Sequence, residues 1–197
     1  MKKNSDPQCS PETQDTASGF PLRGHWVFRQ LCCLMLLFVL SPAAAEAETL
    51  TGKPYVTDGD TVKITGEWIR LQGIDAPETN QRCRDAAEKS YSCGLVSTTA
   101  LRTKIGRNSI TCEGTVRDRY GRFLGICYLG KLDLNNWMVR NGYALAYTRY
   151  SDRYTSAEQE ARKNARGLWA GEFVAPWNWR KGERLTTTSH TPARPSQ

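Results

Sequence analysis

Apolar and polar residues alternate over two early stretches, Val62 with Ile64 and Ile69 with Leu71. A period of two is the mark of strands that bury one face. It predicts β-segments over roughly 49–57, 61–65 and 67–74, interrupted by Asp58-Gly59-Asp60 and by Gly66. Residues 80–92 hold little apolar content and read as a loop. The period then changes. Leu95, Thr98, Leu101 and Ile105 fall on one helical stripe and predict a helix over 95–105. Two further β-like runs, 109–117 and 122–128, flank the turn candidate Asp118-Arg119-Tyr120-Gly121.

Two helices follow. The first is expected over 134–141, with Asp133 as N-cap and Gly142 just past its end. The second is expected over about 156–166, where Thr155 and Glu158 have capping-box spacing and Gly167 stops the run. Phe173 to Trp179 is an aromatic segment expected to pack on the core, with Trp177 and Trp179 covering it rather than stacking on bases. Residues 181–197 are rich in Thr, Ser and Pro and read as a disordered tail. Five short strands, with a helix between the third and fourth, predict an α+β domain over 48–180. Its expected form is a small, partly open barrel of the OB type.

The start of the chain follows a different pattern. A stretch carrying Lys2, Lys3, Arg23 and Arg29 precedes an apolar run from Leu31 to Leu40, then Ser41-Pro42 and Ala43-Ala44-Ala45-Glu46-Ala47. Basic segment, short apolar core and small-residue site make residues 1–47 a secretory leader. Cleavage after Ala45 and after Ala47 fit equally, and retention as an anchor stays open. The expected destination is the periplasm or the medium, with no stable membrane association after cleavage. Cysteine usage agrees with export. Cys9, Cys32 and Cys33 lie in the leader, which leaves Cys83, Cys93, Cys112 and Cys127. An even number in an exported chain predicts disulfides. Folding the hairpin about its turn sets Cys112 opposite Cys127, and Cys83–Cys93 then closes the polar loop.

Composition narrows the chemistry. The chain of 197 residues is 39% hydrophobic and 24% charged, as a globular domain is, and its net charge of +7 makes polyanions plausible partners. Its histidines are His25 in the leader and His190 in the tail. A Ser-His-Asp triad, a Cys-His pair and a histidine-bearing zinc site are therefore excluded from the domain. Carboxylates and arginines remain, in two clusters: Asp58-Gly59-Asp60-Thr61, and Arg70 through Thr79 with Asp75 and Glu78. Asp60, Asp75 and a backbone carbonyl suit Ca²⁺ or Mg²⁺. Arg70 and Arg122 are candidate guanidinium forks for a phosphate, and Glu78 is placed to orient or deprotonate water. Singly, each has an ordinary reading as a turn, a surface ion pair or a loop cap. Together they are the parts needed to hydrolyse a phosphodiester.

In that order the segments closely resemble the thermonuclease family, the staphylococcal nuclease homologues. The resemblance rests on Asp58-Gly-Asp-Thr61, Arg70 through Thr79, Asp118-Arg-Tyr-Gly-Arg122, Asn135 to Gly142 and Glu158 to Trp169. It implies a five-stranded OB-fold barrel with three helices. It also implies Ca²⁺ bound by Asp60, Asp75 and the Ala76 carbonyl, and Arg70, Glu78 and Arg122 as catalytic groups. Arg119, Tyr120 and Tyr147 match substrate-contacting positions. The implied activity is endonucleolytic hydrolysis of DNA and RNA with little sequence preference, leaving 3′-phosphates. A monomer is expected. Ala76 stands where the family has a threonine, and the cysteine-bearing loop after Glu78 departs from the pattern. Two rivals remain: a non-catalytic OB module that binds nucleic acid or an anionic polymer, and a cell-surface structural role.

Overall fold

The computed structural model describes residues 47–186. The expected leader, with its cysteines, and the tail beyond residue 186 lie outside the described residues. No described helix is long and apolar enough to cross a membrane.

The chain opens with β1 (Glu48–Gly52), β2 (Tyr55–Val56), β3 (Thr61–Ile64), β4 (Glu67–Leu71) and β5 (Ile74–Asp75). The first predicted strand is thus two, parted at Lys53-Pro54. The residues read as a loop hold a small ladder, β6 (Cys83–Arg84) with β7 (Ser90–Tyr91), closed by the predicted Cys83–Cys93 disulfide. Helix α1 (Cys93–Ile105) begins two residues earlier than predicted and buries Ser97, Thr98, Leu101 and Ile105. Leu95, assigned to that stripe, is 53% exposed. The buried face is rotated because the helix packs its small residues closely: a Cβ on Gly94 would overlap the Glu78 carbonyl.

The hairpin is β8 (Ile110–Arg117) with β9 (Phe123–Leu129), and it carries the predicted Cys112–Cys127 disulfide. Symmetric pairing about the turn is kept at the cysteines but not next to the turn. Arg117 pairs with Phe123, one residue away from symmetric folding, and a bulge between Glu113 and Val116 absorbs the difference before Cys112 meets Cys127. Gly114 sits in that bulge, where a Cβ would strike the Leu124 carbonyl.

Next come β10 (Leu132–Asp133), α2 (Leu134–Arg140), β11 (Leu145–Ala146), α3 (Thr155–Lys163), a 3₁₀ turn at Gly167–Ala170 and α4 (Pro176–Trp179). The Asp133 carboxylate caps α2 as predicted, accepting from Asn136 N–H at 2.8 Å. The capping box on α3 does not form. Thr155 is the first helical residue, and Glu158 instead accepts from Ala146 N–H at 2.6 Å, tying α3 to β11. The helix also ends at Lys163, and Gly167 opens the 3₁₀ turn rather than stopping α3.

The main sheet runs β1-β8-β9-β4-β3-β2, with β10 beside β9. Its pairings are antiparallel except β4 with β9. This curled mixed sheet with helices against it is the expected α+β, OB-type class. The strands are more numerous and shorter than the five expected, and α4 makes a fourth helix. Val62, Ile69, Leu71, Phe123 and Met138 lie in the main core. A second cluster holds Cys83, Cys93, Leu145 and Leu168, with Trp169, Phe173 and Trp177 packed on it. The aromatic extension therefore covers core, as expected for Trp177, whereas Trp179 stacks on the Arg184 guanidinium at 3.6 Å.

Candidate active site

Strand β4 pairs with β3 so that Arg70 lies opposite Thr61, the residue after Asp60. Ile69 and Leu71 point into the core, which turns Arg70 to the other face of the sheet. Beyond β4 the chain reverses at Gly73 and enters β5, which carries Asp75 and is held by β11 through Asp75–Leu145. Strand pairing thereby brings residues 60, 70 and 75 to one place.

The Arg70 guanidinium bridges the two aspartates, with Nη1 2.6 Å from Asp60 Oδ1 and Nη2 2.6 Å from Asp75 Oδ1. Both carboxylates are buried, Asp60 at 2% exposure and Asp75 at 0%. Asp60 Oδ2 also accepts from Ala76 N–H at 2.6 Å, and Oδ1 from the Thr61 hydroxyl at 3.2 Å. Burial pushes the Asp60 carboxyl up to about 8, against the pull of Arg70 and Ala76 N–H. Burial alone would lower the Arg70 pKa, but the two aspartates outweigh it and raise it.

Glu78 follows on the loop after β5. Its backbone N–H donates to Gln81 Oε1 at 3.2 Å, and its carbonyl accepts from Gln81 N–H at 2.7 Å. The Glu78 carboxylate meets Arg180, whose Nη1 lies 2.8 Å away. The same Arg180 donates to Asp75 through Nη1 at 3.0 Å and Nη2 at 2.7 Å. Its pKa is raised, chiefly by the hydrogen bonds to Asp75. Sequence pattern does not single out Arg180. The sequence offers only a basic residue after an aromatic segment, and nothing local ties it to Asp75.

The remaining candidates group elsewhere. Arg122 sits on the hairpin turn, its Nε 2.8 Å and Nη2 2.7 Å from Asp118 Oδ2. By register it shares the outward face with Arg70, since Arg70 pairs with Leu124 across the parallel ladder and Phe123 between them is buried. Arg122 makes no hydrogen bond to Asp60, Asp75 or Glu78. Burial would raise the Asp118 pKa, but bonds from Arg122 and from turn N–H groups overcome this and lower it. Tyr120 is 68% exposed and is flanked by the Arg119 and Arg122 guanidiniums at 4.9 and 5.5 Å. Tyr147 follows β11, donates its N–H to Gly73 O at 2.9 Å, and packs its ring 5.7 Å from Trp177.

The donor set suits a hard cation. Asp60, Asp75 and Glu78 offer oxygen, and the domain's cysteines are all in disulfides. Among the described residues no three His, Cys, Asp or Glu side chains converge as a ready cage. The rest of a coordination shell would fall to backbone oxygens and water, as is usual for Ca²⁺.

A sequence profile of the staphylococcal nuclease homologues matches residues 68–171, taking in Arg70, Asp75, Glu78 and Arg122. The chain is 37% identical over 148 residues to a succinoglycan biosynthesis protein, ExoI, of Rhizobium meliloti, covering 73% of this chain and 77% of that one. It is 33% identical over 154 residues to an uncharacterized endonuclease of Escherichia coli O157:H7, covering 74% and 94%. A probable staphylococcal-like nuclease, CAN2, of Oryza sativa matches at 36% over 119 residues, covering 59% of this chain and 30% of the relative.

Proposed function

The chain belongs to the family of staphylococcal nuclease homologues, and from that premise we propose that it is an exported, Ca²⁺-dependent endonuclease. It hydrolyses phosphodiester bonds of DNA and RNA with little sequence preference and leaves 3′-phosphates. The observation that carries this reading is the buried Asp60–Arg70–Asp75 arrangement, with Glu78 joined to it through Arg180. Two buried carboxylates beside a partly open arginine are costly as structure alone, because desolvation weighs against each charge. Such a cluster is a mark of a working site.

Asp60, Asp75 and the Ala76 carbonyl would hold the cation. When bound, Ca²⁺ supplies positive charge to the phosphoryl oxygens as negative charge builds on them. Arg70, oriented by its contacts with Asp60 and Asp75, presents its outer edge to the phosphate. Arg122 is held by Asp118 in a fixed direction and offers a second fork. Both guanidiniums favour the transition state over the ground state because the charge they meet is larger there. Glu78 accepts the proton of the attacking water or orients that water. Arg119, Tyr120 and Tyr147 supply contacts to the rest of the nucleotide. The chain acts as a monomer, in the periplasm or the medium, without lasting membrane association.

Purified protein lacking residues 1–47 is incubated with plasmid DNA and with RNA, in Ca²⁺ or in chelator. Cleavage of both in Ca²⁺ and of neither in chelator is expected. Intact substrates in Ca²⁺ overturn the reading. One observation favours a second reading, the resemblance to a protein named for succinoglycan biosynthesis. On that reading the domain binds an anionic polymer without cutting nucleic acid, and gel-shift without cleavage is the outcome that identifies it.

A further inference from the structure

Asp75 and Glu78 are engaged by a residue from outside the matched family segment, which ends at residue 171. Arg180 directly follows α4 and is placed by a hydrogen-bonded path. Glu172 and Arg84 exchange backbone hydrogen bonds at 2.8 and 3.1 Å. The buried Gln81 donates to the Val174 carbonyl at 2.7 Å while its Oε1 holds Glu78 N–H. Trp177 packs against Tyr147. One buried side chain thus ties the extension to the loop that carries Glu78, so Arg180 is delivered to the site rather than draped over it.

Its contacts compete for oxygens. Asp75 Oδ1 accepts from both Arg70 and Arg180, and Oδ2 accepts from Arg180. A carboxylate oxygen has two lone pairs, so Oδ1 is fully used and Oδ2 half used. A cation ligated by Asp75 must therefore share Oδ2 with an arginine or displace one. Of the two arginines, Arg180 is the one able to leave. Its side chain is 40% exposed against 20% for Arg70, and Asp75 itself is fully buried. Like charge adds to the conflict, since a divalent cation at Asp75 would lie close to the guanidinium.

We propose that Arg180 is a resident counter-ion that competes with a divalent cation for Asp75, pairing with Glu78 while it does so, so that the C-terminal extension sets the cation concentration at which the site loads. This rests on the reading of Asp60 and Asp75 as a cation site. The extension acts as a threshold: at low cation concentration Arg180 holds the carboxylates, and at high concentration it swings to solvent and frees them.

Calorimetric titration with Ca²⁺ alone tests this, on the protein lacking residues 1–47, for wild type, Arg180→Gln, Arg180→Lys and Asp60→Asn. Arg180→Gln is expected to bind Ca²⁺ about tenfold more tightly, the worth of one charge-assisted hydrogen bond. Arg180→Lys, which keeps the charge and loses the fork, is expected between it and wild type. Asp60→Asn is expected to lose the isotherm. Equal or weaker binding in Arg180→Gln, with an isotherm that still depends on Asp60, overturns the competition and leaves the cation site standing. Absence of any Asp60-dependent isotherm in every protein overturns the cation site, and this proposal with it.

Discussion

Asp75 and Arg180 stand 105 residues apart in sequence and share two hydrogen bonds, 2.7 and 3.0 Å long. Asp75 has no exposure to solvent, and Arg70 meets it on another side at 2.6 Å. A carboxylate placed so is a keystone for two cations. Without it, Arg70 keeps only Asp60 and Arg180 only Glu78 as carboxylate partners.

Asp75→Asn should therefore destabilise the fold as well as remove a proposed cation ligand. Breaking a buried pair from one side typically costs about 3–5 kcal/mol. The exposure of Arg180 puts the expectation near the lower end, about 3 kcal/mol. Urea denaturation in chelator reads it, and a midpoint equal to wild type contradicts it.

Arg122→Ala should behave in the opposite way. Its pair with Asp118 is partly exposed, with side chains at 29% and 16%, and such pairs contribute about 0–1 kcal/mol. Activity should nevertheless fall by about 10²–10³, the usual loss for one transition-state donor. Initial rates on plasmid DNA, with the melting temperature alongside, separate the two effects. Near-normal turnover removes Arg122 from the catalytic set.

Gly94→Ala tests the seating of Glu78. The added methyl group would overlap the Glu78 carbonyl, which is backbone and cannot turn aside. Overpacking of this kind costs about 1–3 kcal/mol. Displacement of the Glu78 loop should also lower the rate at saturating substrate. A variant with wild-type stability and rate would show that this contact is slack.

The disulfide between Cys83 and Cys93 closes a loop with a sequence separation of 10 and anchors the second core cluster. Replacing both cysteines with serine should cost about 3 kcal/mol, the loop-closure entropy for a ring of that order. The urea midpoint measures it, and non-reducing peptide mapping of the parent protein checks the pairing.

Asp60 provides a pH dependence whose sign follows from the upward direction of its shift. Its carboxyl ordinarily titrates near 3.8 and is pushed to about 8 in the folded protein. Between those values the folded state holds a proton that the unfolded chain has released. That contribution to stability is complete at low pH and is lost as pH rises through about 8. In chelator, Asp60→Asn should flatten the decline in melting temperature between pH 5 and pH 9, relative to wild type, by removing the titrating group. An unchanged slope would show that Asp60 does not hold the proton.

Local patterns predicted much of this molecule. Alternation located β3 and β4, Asp133 and Gly142 bounded α2, and the spacing of the cysteines about the hairpin identified both disulfide partners. Each of these depends on residues near one another in sequence. Failures occurred where a local signal met a distant partner. Thr155 and Glu158 have capping-box spacing, yet Glu158 is drawn to the free N–H of Ala146 on another strand. Leu95 belongs to a helical stripe by period, yet the close approach of Gly94 to the Glu78 backbone rotates the buried face away from it.

The same division applies to the site. The residue types and spacings alone determined a chemistry of oxygen donors and guanidiniums, and nominated Asp60, Arg70, Asp75, Glu78 and Arg122. Strand register then decided which of them touch. It joined Asp60 and Asp75 through Arg70 and left Arg122 with Asp118 at the turn. Arg180 was decided by tertiary structure alone. A charge finds its partner through space at about 3 Å, and only the packing of the extension through Gln81 and Trp177 brings residue 180 to residue 75.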